Sequence, residues 1–113
     1  MSDAAWPRIA ADPGLLALYG ALTAALDRLG PYEVQHRKAA VHVVRPDGTG
    51  VLSTHPDRDG LALTLVLDRS VGSPRMVTAQ QVSPGLWHHR LRIGSVTDVD
   101  DELCGWLEVA YRR

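Results

Sequence analysis

Trp87-His88-His89-Arg90-Leu91-Arg92-Ile93 is the stretch on which the fold turns. Side chains on a strand alternate between two faces, so Trp87, His89, Leu91 and Ile93 share one side, and His88, Arg90 and Arg92 share the other. One face is fit for a core and the other for water, which predicts a half-buried strand of an antiparallel sheet. Immediately downstream, Thr97 is positioned to cap a helix, and Asp98, Asp100, Asp101 and Glu102 gather where the helix dipole favours negative charge. Val99, Leu103, Trp106, Leu107 and Ala110 form the apolar stripe of that closing helix.

Upstream of this stretch the punctuation is that of more strands. Leu61, Leu63, Leu65 and Leu67 alternate with Ala62, Thr64 and Val66. Val41, Val43 and Val44 favour extended structure over Lys38–Arg45, Val51–His55 is a short strand, and Arg75–Val82 a further one. Pro46-Asp47-Gly48, Pro56-Asp57-Arg58-Asp59-Gly60 and Ser83-Pro84-Gly85 are the turns between them. Connections this short join antiparallel neighbours, because parallel pairs need long crossovers. Near the N-terminus, Asp12-Pro13 reads as N-cap and first helical residue. Leu15, Leu18, Tyr19, Leu22, Leu26 and Leu29 line one face of the helix, and Gly30-Pro31 stops it.

These elements predict a two-layer α+β fold: an N-terminal helix, an antiparallel sheet of about five strands, and a C-terminal helix, with both helices on one face of the sheet. Residues 1–11 are expected to form a flexible arm, pinned at most by Trp6-Pro7, and residues 12–113 a single domain. A chain of 113 residues is long enough for one hydrophobic core.

The formal charge of −1 gives no general attraction to nucleic acid or to acidic membranes. Between Glu33 and Arg92, however, eight Lys/Arg face five Asp/Glu, and all five histidines lie there. No apolar run reaches the ~20 residues that cross a bilayer, and the segment before Leu15 lacks the positive charge of a signal peptide. Cys104 is the only cysteine, so no internal disulfide forms. A soluble cytoplasmic protein is the expectation.

Several short pieces stand out by their order and spacing: Pro31-Tyr32-Glu33-Val34, Lys38 opening a Lys-x-x-Val-x-Val strand, and the Leu-rich strand ending Leu67-Asp68. Ser73-Pro74-Arg75, His89-x-x-Arg92-Ile93, and Asp98-x-x-Asp101 leading to Ala110-Tyr111 complete the set. Taken in order, they resemble a bacterial domain-of-unknown-function family, numbered fifty-six fifty-five, over nearly everything after the first helix. Some members carry the label "predicted transport protein", which nothing in this chain supports. The chain departs from the family at Ala39, where a Thr is usual, and in having no Phe. What the resemblance implies is a fold and no activity.

Strand parity then selects candidate site residues. If Val41, Val43, Leu91 and Ile93 face the helices, His36, Lys38, His42, His88, Arg90 and Arg92 collect on the opposite face, above Ala62, Thr64 and Val66. Such a face suits an anionic small molecule, with Lys38 and Arg92 converging on one anionic group. Alternation alone also produces this pattern, as the ordinary solvated face of an antiparallel sheet, and that reading ranks ahead of the anion site. His88 and His89 point to opposite faces, and no HExxH or cysteine ligand spacing exists, so no metal or other cofactor is expected. Asp57-Arg58-Asp59-Gly60 lacks the distal Glu of a calcium loop and is read as a hairpin turn. Cys104 is read as a packing residue, and Ser53-Thr54-His55 has no acid to orient its histidine. His89 is read as a core histidine bonded to an acidic residue of the closing helix. The expected function is a small binding or interaction module for an anionic ligand or a partner protein. Its rivals are a nucleic-acid-associated module and a small enzyme using a His/Lys/Arg site.

Overall fold

A computed structural model describes residues 4–113. Helix α1 (Ala5–Ala11) and helix α2 (Pro13–Asp27) precede strands β1 (Glu33–His36), β2 (Val41–Val44), β3 (Gly50–Asp57), β4 (Gly60–Leu67), β5 (Thr78–Ser83) and β6 (Leu86–Ile93). A short 3-10 turn (Val96–Asp98) leads into helix α3 (Asp101–Arg112). The six strands form one sheet in the order β1-β2-β3-β4-β6-β5, with every neighbouring pair antiparallel. The architecture is α+β, with six strands rather than five.

Asp12 caps α2 as its chemistry predicts, its Oδ1 accepting from the backbone N–H groups of Gly14 and Leu15. Leu15, Leu18, Leu22 and Leu26 of α2, and Leu103, Leu107, Ala110 and Tyr111 of α3, pack on one face of the sheet. That face presents Val41, Val43, Leu52, Leu61, Leu63, Leu65, Leu67, Leu91 and Ile93, and the whole set forms one core. The closing helix starts later than its sequence suggests. Ser95 and Asp98 form a capping box on the 3-10 turn, and Asp100, not Thr97, caps α3.

Residues 5–11 are not a loose arm. Two apolar positions one helical turn apart, Ala5 and Ile9, are buried, and the Ala5 N–H donates to the carbonyl of Lys38 at 2.8 Å. Trp6 stacks on His36 with ring centroids 4.9 Å apart and meets Tyr19 edge-on. The part of that expectation covering residues 1–3 lies outside the described residues.

Strand β1 is the element that sequence reading passes over. The chain reverses at Arg37–Ala40, so Glu33–His36 pairs back onto β2 with Gln35 opposite His42 and His36 opposite Val41. A bulge between Val43 and Val44 sets Val44 opposite Gly50 and turns Val51 into the core. Between β4 and β5 the chain crosses past β6 over the helix side. Arg75 anchors this crossover, donating to the carboxylates of Asp100 and Glu102 and to the Asp98 carbonyl, with its guanidinium 5.6 Å from the Trp106 ring. No single helix among the described residues is long and apolar enough to cross a membrane.

Candidate functional site: the open face of the sheet

With all helices on one side, the other face of the sheet is open. Directly opposed residues share a face, so the pairings Gln35↔His42, His42↔Ser53, Ser53↔Thr64, Thr64↔Arg90 and Arg90↔Thr78 define one polar row running across all the strands. The row below holds Val66, His88 and Gln80, and the row above His55, Ala62 and Arg92. Glu33, opposite Val44, contributes a carboxylate at the β1 margin.

Two depressions mark this face. One, of about 150 Å³, is lined by His42, Val44, Ser53, Thr64, Val66 and His88. The bulge makes it: with Val51 turned into the core and Gly50 carrying no side chain, the space beside Val44 stays empty. Its floor is largely apolar and its rim carries two imidazoles and two hydroxyls. The second, of about 200 Å³, lies between Asp57, Ala62, Val77, Arg90 and Arg92. Arg90 lines the second, stands opposite Thr64 of the first and, among the described residues, has no ion-pair partner.

Parity placed His42, His88, Arg90 and Arg92 on this face, and they are there. His36 is not. Parity counted through Lys38 assumes an unbroken strand, and the turn at Arg37–Ala40 resets it, so His36 lies on the helix face against Trp6. Lys38 lies in that turn rather than in a strand. The turn belongs to β2, three strand spacings from β6, or about 14 Å. Lys38 and Arg92 are thus set three strand spacings apart across the sheet.

Arg92 is already occupied. Its Nη2 donates to the Asp57 carbonyl at 3.0 Å and to the Asp59 carboxylate, and its Nε lies 3.4 Å from Asp57 Oδ2. The Arg92 hydrogen bond holds the Asp59 carboxyl below the usual carboxylate range. Arg92 is thus a clamp on the β3–β4 turn, where Arg58 takes a positive φ of 58°.

His89 faces the helices as parity predicts and is fully buried. Its partner is not an acid of α3: Nε2 accepts from the Val71 N–H at 2.9 Å, in the crossover. Burial lowers its pKa, so the ring is neutral and serves as an acceptor. The His-x-x-Arg segment therefore holds two structural roles, one on each face. Sequence reading missed Gln35 and Ser53, because β1 was not read and because the bulge obscures parity in β3.

Among the described residues no carboxylate lines the smaller depression to orient His42 or His88 as a general base. Among the described residues, no three His, Cys, Asp or Glu side chains group to hold a metal. Cys104 lines a groove between α2 and α3 with Ala25, Arg28, Leu29, Gly105 and Glu108. That groove mixes both charge signs and gathers no convergent polar group.

The model of one protein family, described as Domain of unknown function (DUF5655), matches residues 9–113. This is the family that the sequence resembles, and the match reaches further upstream than the resemblance, beginning within α1 rather than after α2. Its description names no activity. No curated protein and no solved structure matches the chain.

Proposed function

This chain belongs to the DUF5655 family, and we propose that it is a small binding module whose ligand, an anion with an apolar body, sits on the open face of the sheet. The observation that carries this reading is the placing of one uncompensated arginine, Arg90, beside a depression with a valine floor and a polar rim. A carboxylate or phosphate pairs with the guanidinium fork, while the body of the ligand covers Val44 and Val66. His88 and His42 supply further donors from either side. Lys38, His36 and Arg92 have no part in it. A cytoplasmic setting fits the single cysteine.

Nitrogen-15 NMR titrations with benzoate and with inorganic phosphate test the reading. Benzoate is expected to shift the amides of Ser53, Thr64, His88 and Arg90, with a Kd near about 1 mM for so small a ligand. Arg90→Ala weakens binding about tenfold or more, the usual loss for a charge-assisted hydrogen bond. Lys38→Ala leaves it unchanged. Shifts scattered over the surface, or none at all, sink the proposal.

A further inference from the structure

The sheet has two free edges, and their chemistry differs. At the β1 edge stand Glu33, Arg37 and Lys38, with the N-terminus of α1 bonded to the turn between β1 and β2. Charges at an edge are the ordinary defence against pairing with another strand. At the β5 edge there is no such defence. Every residue of β5 is exposed, and from Met76 to Trp87 the chain carries no charged side chain. Val77 and Val82 are 73% and 45% exposed on this edge.

We propose that β5 pairs antiparallel with β5 of a second copy, joining two sheets into one of twelve strands. An edge strand presents a row of unpaired N–H and C=O groups, and antiparallel pairing about a two-fold axis makes such a row complementary to itself. The absence of charge is what favours a second copy, since symmetry sets each residue near the axis opposite its own counterpart. A single charged residue there would face a like charge, and there is none. The pairing of six residues a side buries less than the roughly 1,200 Å² of a standard interface, so the dimer is a weak one, with a Kd in the range of about 10–100 µM. The two-fold axis runs perpendicular to the plane of the sheet, so both open faces point the same way. The Arg90 residues of the two copies then stand about 20 Å apart, three strand spacings across the seam and two residues to either side of the axis along it.

Sedimentation velocity of the full chain from about 1 µM to about 1 mM spans that affinity range. The wild type is expected to pass from monomer to dimer. Gln80 lies near the middle of β5, exposed and on the open face, so Gln80→Lys and Gln80→Glu preserve the fold, which circular dichroism checks. Each variant alone stays monomeric, because like charges meet across the axis, and an equal mixture of the two regains the dimer. A wild type that is monomeric throughout overturns the proposal and leaves the edge to a strand from another protein. So does a dimer that persists unchanged in Gln80→Lys.

Discussion

A histidine sealed between a sheet and its helices must settle on one protonation state. His89 accepts at Nε2 from the Val71 N–H, so the ring proton sits on Nδ1, which is buried without a partner. Parity revealed which way this ring points, because alternation is a local property. Its partner was illegible, because Val71 reaches it only when the crossover folds over β6. Charging the ring removes the acceptor and leaves a buried cation, which is why burial lowers its pKa from 6.5. As pH falls, the unfolded chain therefore takes up the proton first. The contribution to stability is full above about pH 6.5 and is lost as pH drops from there through the lower folded-state value. Urea unfolding midpoints should accordingly decline between about pH 7 and pH 5 in the wild type, and that decline should flatten in His89→Leu. An identical pH slope in both proteins would assign the acid sensitivity to other groups.

At the level of elements, long periodic segments were readable and short ones were not. The stripe of leucines in α2 and the alternation in β4 each repeat often enough to outweigh local noise. Strand β1 is four residues long and fully or partly exposed, so nothing in Glu33-Val34-Gln35-His36 distinguishes it from loop until it pairs with β2. Helix α1 is seven residues long and contains a proline, and its helicity comes from tertiary burial of Ala5 and Ile9. Its docking is a matter of energy and can be measured. Ile9 is completely buried, so Ile9→Ala should destabilise the protein by about 2–5 kcal/mol in a denaturant melt, the range for truncating a large aliphatic side chain in a core. A change below about 0.5 kcal/mol, typical of surface positions, would restore the loose arm. Arg75 does the corresponding work for the crossover, and the weak Ser73-Pro74-Arg75 motif carried no hint that its partners lie at the start of α3.

Over the whole molecule, the division into a helix-covered face and an open face follows from the sequence, because every strand with clear alternation sorts its residues the same way. The charge on the open face does not. Counting cations along the chain suggests a basic platform, but Arg92 and Arg45 are paired with groups distant in sequence or beyond a turn. Arg92 is held by Asp57 and Asp59, and Arg45 by Asp47, Thr49 and the Tyr111 carbonyl. Lys38 lies at the far edge of the sheet. What remains near the two depressions is Arg90, with the histidines beside it. A track of phosphates along nucleic acid needs several such groups in line, and each neutralised phosphate adds about 0.9 to the slope of log K against log salt on duplex DNA. A face with one free arginine predicts a slope of about −1 to −2 for any duplex binding that can be detected, together with poor affinity at physiological salt. Fluorescence anisotropy of a labelled duplex across a salt series measures this. A slope steeper than about −4 would require a basic track that the pairing of Arg92 and Arg45 rules out, and would return the protein to the nucleic-acid reading.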